Sequence, residues 1–186
     1  MATGPGADVN LEGDGFRLRR ATPDDVDFIV DLLHHEEVEP FLAAVRARSP
    51  DEVLAEIERS SAEPEEFGRF VVEVPDGNGW RPAGILGFEV ANKRSRIANL
   101  GGLAIHPRFR GRRLSDAAAR LFQHHLLLDV GYHRLQLEIY GFNERAIRHA
   151  ERAGYVREGV KRKAYRRHGE WVDGVLFGLV REDLDV

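Results

Sequence analysis

Between residues 96 and 139 the hydrophobic period changes twice, and this limits the fold more than any other feature of the chain. Residues 96–105 read as a strand that His106-Pro107 stops. After the basic segment 108–113, apolar residues recur at Leu114, Ala117, Ala118, Leu121, Phe122 and Leu126, the spacing of a helix with one buried face, ending near Gly131. Leu135-Gln136-Leu137-Glu138-Ile139 then returns to strand. A strand, a helix and a second strand joined this closely make a crossover, so the two strands lie parallel.

Around that unit the chain reads as antiparallel. Phe16-Arg17-Leu18-Arg19 alternates apolar and basic residues, as a half-buried strand does. Thr22-Pro23-Asp24-Asp25 opens a first helix with Val26, Ile29, Val30 and Leu33 on its apolar side, and Ser49-Pro50-Asp51-Glu52 opens a second with Val53, Leu54 and Ile57. Residues 69–74 and 82–91, joined by Asp76-Gly77-Asn78-Gly79, predict a hairpin. Residues 143–153 form a short helix closed by Gly154, and 155–166 with 171–180 form a last hairpin around His168-Gly169. Residues 1–14 lack periodicity and read as a loose tail, leaving 15–186 as one domain. The expected class is α+β: a mixed, mostly antiparallel twisted sheet, splayed at a central parallel pair, with helices on both faces.

Composition narrows the chemistry. With 186 residues, 42% hydrophobic and 31% charged, the chain suits a soluble globular domain, and neither a membrane-spanning run nor a leader peptide is legible. A cytoplasmic location is the expectation. Cysteine is absent, which excludes disulfides, thiolate metal sites and cysteine nucleophiles. The eight His include two adjacent pairs, His34-His35 and His124-His125, whose side chains diverge by about 100° on a helix, so no metal is assigned. The net charge of -4 hides an asymmetry, with the first hundred residues acidic and the remainder basic. That division suits a protein gripping an anion with one part and a cation with another.

The anion site is sought in Leu103-Ala104-Ile105-His106-Pro107-Arg108-Phe109-Arg110-Gly111-Arg112-Arg113-Leu114-Ser115. A strand ends, a basic turn with one glycine follows, and a helix opens whose first N–H groups lack partners. Such a turn can cradle a pyrophosphate. Downstream stand Asn143-Glu144-Arg145-Ala146-Ile147, Glu151-Arg152-Ala153-Gly154-Tyr155, Glu158-Gly159 and Gly169-Glu170-Trp171-Val172-Asp173. With these motifs, from about Phe16 to Asp183, the chain resembles the GNAT N-acyltransferase superfamily, within it the RimJ/RimL-type branch.

The resemblance implies that main-chain groups of Leu103 and Ile105 pair with the pantetheine arm of acetyl-CoA, that main-chain N–H groups of Arg110, Gly111, Arg112, Arg113, Leu114 and Ser115 receive its pyrophosphate, and that Asn143 holds a pantetheine amide. It implies transfer of an acetyl group to a primary amine by direct attack in a ternary complex. The amine is a protein N-terminus or a small metabolite. Arg113 and Ser115 stand where the family has small residues, and Ala146 and Ala150 where its members carry a Ser or a Tyr as acid. Tyr140 and Tyr155 lie nearby, read as packing residues with surface hydroxyls.

A primary amine of pKa about 10 must lose a proton before it attacks. Glu138, Glu89 and Asn99 acting through water are the candidates for taking it. The resemblance implies that the acidic loop Glu36-Glu37-Val38-Glu39 walls the acceptor side, the alternative being a solvated loop. The rival reading is a regulatory acyl-CoA-binding module without catalysis. No nucleic-acid or membrane partner is expected, and a homodimer is possible.

Overall fold

The computed structural model describes residues 9–42, 49–111 and 113–185. They form two compact units, the first made of Met1–Glu89 with Gly102–Phe122, the second of Val90–Gly101 with Gln123–Val186.

In the first unit the strands β1 (Asn10–Gly13), β2 (Phe16–Arg20), β3 (Phe67–Asp76) and β4 (Gly79–Asn92, shared with the second unit) pair antiparallel in that order. Strand β1 replaces the loose tail expected there over residues 10–13, and residues 1–8 of that tail lie outside the described residues. Gly15, at φ 72, lets the chain reverse, and Leu11 pairs with Leu18. A single apolar residue in four leaves no period to read.

The helices are α1 (Val26–His34), α2 (Pro50–Ala62) and α3 (Leu114–His124). Ser49 caps α2, its hydroxyl accepting from Glu52 N while the Glu52 carboxylate accepts from Ser49 N. The first helix starts later than expected. Residues Pro23–Asp25 make a 3₁₀ turn, and the Thr22 N–H and hydroxyl both donate to Asp25 Oδ2.

Successive side chains of a strand face opposite sides. On one side Val71 and Ile85 join a core with Ile29, Leu32 and Leu33 of α1, Val53 and Ile57 of α2, and Ala104. On the other, Phe70 meets Phe122 of α3 edge-on at 4.8 Å, with Phe88 at 6.0 Å from the same ring. Helices thus cover both faces of this unit. Gly68 is forced small by the second cluster, since a Cβ there would lie 2.3 Å from the Phe88 ring.

In the second unit β5 (Ile97–Ile105, of which 97–101 belong here) runs parallel to β6 (Arg134–Tyr140), as the crossover requires. The ladder joins Ile97–Asn99 to Arg134–Gln136 and stops, although both strands continue. On its other edge β6 pairs along its whole length with β8 (Glu170–Val180), which pairs with β7 (Val156–Arg167). The β7–β8 ladder is irregular twice, between Arg157 and Gly159 and between Lys161 and Tyr165. Helix α4 (Glu144–Arg152) is capped by Asn143, whose Oδ1 accepts from Ala146 N at 3.1 Å. The long helix ends as a π turn, His125–Asp129, with Gly131 beyond it at φ 83.

Candidate functional site

Of the residues expected to hold the co-substrate, Leu103, Ile105, Arg110, Gly111, Arg113, Leu114 and Ser115 belong to the first unit and Asn143 to the second. Arg112 lies outside the described residues.

The turn after β5 is built by His106 and Pro107. The His106 N–H donates to Ala83 O, its Nδ1 accepts from Arg108 N, and Pro107–Phe109 closes a 3₁₀ turn. Gly111 follows at φ 85 with open space where a Cβ would stand, and Arg113 at φ 53. Arg113 O accepts from Ala117 N, so Arg113 is the residue that caps α3 and the N–H groups of its first turn point past it. A left-handed backbone of this kind is one that glycine adopts freely. Arginine adopts the same conformation at a cost of about 1–2 kcal/mol, with its side chain in solvent. Leu114 is buried, anchoring the helix start. Open space at Gly111 and the helix start behind it suit a polyanion brought close to the main chain.

Arg110 does something the sequence did not foretell. Its Nε donates to Ile105 O at 3.3 Å, its Nη1 to Glu37 Oε2 at 2.5 Å and its Nη2 to Glu37 O at 3.3 Å. The ring of His35 meets that of His106 edge-on at 5.4 Å. Burial, then the charges of His35, Arg108 and Arg110, hold the His106 imidazolium below its ordinary pKa. Seventy-three residues separate Glu37 from Arg110, so no local pattern could reveal the pair.

The candidate bases all have partners. Glu138 Oε2 accepts from Lys161 Nζ at 2.7 Å. Gly174 makes room for this carboxylate, since a Cβ there would sit 2.0 Å from Oε1. A hydrogen bond to Glu138, with some burial, raises the Tyr165 phenol above its usual pKa, and the same carboxylate raises the Lys161 ammonium. The ring of Tyr165 meets Tyr140 edge-on at 5.5 Å, and Tyr140 stacks on Phe142. Asn99 Oδ1 accepts from Gln136 Nε2 at 2.8 Å, and Glu89 Oε1 from Arg59 Nη1 at 2.9 Å.

Tyr155 departs from its expected surface hydroxyl. The residue is buried, and its oxygen has no hydrogen-bond partner among the described residues. Burial pushes its pKa far up, with Gln123 alongside opposing the shift, so the phenol is a poor proton donor to a thiolate. Its place after Gly154 carries an aromatic for packing. The π turn of α3 holds His125, whose Nδ1 meets Asp129 Oδ2 at 2.9 Å.

The GNAT acetyltransferase domain model matches residues 16–156. The chain belongs to the GNAT acetyltransferase family. It is 26% identical over 178 residues, 94% of each chain, to YokL, a SPbeta prophage-derived uncharacterized N-acetyltransferase of Bacillus subtilis. Its fold is that of spermidine N-acetyltransferase from Vibrio cholerae, solved with CoA and spermine, at TM-score 0.82 and 18% identity over 94% of this chain and 100% of that one. It is equally that of the ribosomal-protein-S5-alanine acetyltransferase of Vibrio fischeri, at TM-score 0.80 and 17% identity over 95% and 99%. Acetyl-CoA is the co-substrate of GNAT acetyltransferases, and this chain is an N-acetyltransferase of that family. Among its described residues no helix is long and apolar enough to cross a membrane.

Proposed function

We propose that the chain transfers the acetyl group of acetyl-CoA to a primary amine by direct attack within a ternary complex. The turn from Ile105 to α3 carries this reading: Gly111 and Arg113 hold left-handed backbone at a helix start, leaving main-chain N–H groups for a pyrophosphate. In this reading main-chain groups of Leu103 and Ile105 pair with the pantetheine arm. The main-chain N–H groups of Gly111, Arg113, Leu114 and Ser115 receive the phosphates. Asn143 spends its oxygen on the cap of α4 and offers its amide nitrogen to a pantetheine carbonyl.

The chemistry balances without a metal or redox partner. Glu138 takes a proton from the ammonium of the acceptor, and the nitrogen lone pair attacks the thioester carbonyl carbon. The C–S bond breaks, and the thiolate, of pKa about 8.5, takes its proton from water or from the newly bonded nitrogen, which sheds its remaining extra proton as it becomes the amide. With Ala146 and Ala150 in place of the usual acids and Tyr155 buried, departure of the thiolate relies on no dedicated side chain. The acceptor is a small amine metabolite or a protein N-terminus; of the structural neighbours one is solved with spermine and another is a ribosomal-protein-S5-alanine acetyltransferase.

Titration calorimetry with acetyl-CoA at millimolar concentration tests the first half, and release of CoA across polyamines, aminosugars, amino acids and N-terminal peptides tests the second. Heat with acetyl-CoA and turnover with at least one amine class is the expected result. Binding without turnover on any amine would favour the regulatory module, and absence of binding would end both readings.

A further inference from the structure

We propose that Arg110 is a positioning residue that straps the acidic segment around Glu37 to the end of β5, and that gripping phosphate falls to the rest of the turn. This rests on the acetyl-transfer reading and deepens it, because it assigns that segment to the amine side of the reaction.

All three nitrogens of the guanidinium are committed within the protein. One donates to the carbonyl of Ile105, the last residue of β5, and two donate to Glu37, one to its carboxylate and one to its main-chain oxygen. Bonds to both parts of Glu37 fix the course of the main chain as well as the position of a charge. To reach a phosphate, Arg110 would have to abandon a carboxylate at 2.5 Å. Arg108 and Arg113, beside it in the same turn, are exposed and better placed to meet an incoming anion.

The segment is pinned at two further points. The His35 ring packs edge-on against His106, and the His35 Nδ1 accepts from Glu37 N at 3.2 Å. Val38 and Leu42 are buried in the same core as Ala104 of β5. The strap therefore holds this acidic segment at the end of β5, beside the main-chain groups of Ile105 that the acetyl-transfer reading gives to the pantetheine arm. An acceptor amine arrives as a cation, and an acidic segment held at that end favours its approach. The pair is partly exposed, with 27% of the Arg110 side chain and 54% of the Glu37 side chain reached by solvent, so its variants are expected to fold.

The test is a double-mutant cycle on the full chain with Arg110→Gln, Glu37→Gln and the two combined. Hydrogen exchange of residues 35–42 should quicken about fivefold in either single variant and no further in the double, as it does when two groups act as one unit. The acetyl-CoA Kd by calorimetry should stay within about threefold of the wild type in all three. With the amine found by CoA release, KM should rise about tenfold and kcat change little, and Arg110→Lys should recover part of the loss. A Kd weakened more than threefold in Arg110→Gln but not in Glu37→Gln would make Arg110 a phosphate ligand and overturn the proposal. Unchanged exchange in both single variants would overturn it too. If the wild type bound no acetyl-CoA, the acetyl-transfer reading would fall, and the exchange cycle would still decide whether the strap exists.

Discussion

Two clusters of cations and carboxylates occupy strands of this molecule, and they differ mainly in their access to water. In the first unit Arg19 bonds both oxygens of Asp25, at 2.7 and 2.8 Å, and reaches Glu73 at 2.8 Å, while Arg17 holds the other Glu73 oxygen. The carboxylate side chains there are only 4% and 5% exposed. In the second unit Lys161 meets Glu138 at a similar distance, 2.7 Å, but with half of the lysine side chain in solvent. Similar bond lengths do not make similar devices. Buried charges that satisfy one another define which strands and turns meet, whereas an exposed pair exchanges protons with water and costs little to open.

The largest effect that would sharpen this contrast is on stability. Replacing Asp25 with Ala takes two hydrogen bonds from the Arg19 guanidinium and strands the Thr22 N–H, and should cost about 3–5 kcal/mol, a fall in Tm on the order of 10 °C. Urea unfolding measures it, and a loss below about 1 kcal/mol would erase the distinction between the clusters. The Glu138→Gln variant should do the reverse, leaving stability within about 1 kcal/mol while lowering kcat/KM by about 10², with the defect shrinking as pH nears the pKa of the amine. Full activity in that variant would remove Glu138 as the base.

The clusters should also answer to opposite ends of the pH scale. Burial alone would raise the Asp25 pKa, but hydrogen bonds from Arg19 and Thr22 outweigh it and hold the carboxyl below its ordinary value. Its contribution is therefore complete above the unfolded pKa of about 3.9 and lost as pH falls through the folded one. Lys161 is raised by Glu138, so its smaller contribution is complete below about 10.4 and lost as pH rises through the folded pKa. Denaturant titrations from pH 2 to 11 should show an acid slope that Asp25→Asn reduces and an alkaline slope that Lys161→Met reduces. The smallest expected effect is that of Tyr165→Phe, under about 0.5 kcal/mol in stability and a few-fold in rate.

What could be read in advance follows from range. The crossover, both long hairpins, the helix start at Ser49, the short helix after 143 and the turn at Gly111 are local patterns of period or turn chemistry, and these the sequence displayed. Strand β1 escaped because Leu11 alone cannot establish alternation, and the π turn because it keeps an apolar spacing close to that of a helix. At the site, residue types and their order were legible but their partners were not. Glu138 was a candidate without Lys161 and Tyr165, since the irregularity in β7 between those two shifts the alternation that would have grouped them. Tyr155 was placed in the right neighbourhood with its hydroxyl on the wrong side of the surface. Packing around Gln123, thirty-two positions earlier, determines that, and no window of sequence spans it.

Strand β7 bears on how the protein behaves in a crowded solution. Its twelve residues present Val156 and Val160 to solvent, and a long exposed strand of that kind invites stacking with copies of itself. Two breaks in register and the left-handed backbone of Lys163 keep it from offering a flat template. Six of its residues are Arg or Lys, so two such strands laid side by side would repel along their length. The colloidal stability of the chain thus has its own provision, separate from its chemistry, and concentrated solutions should become turbid first when those cations are neutralised.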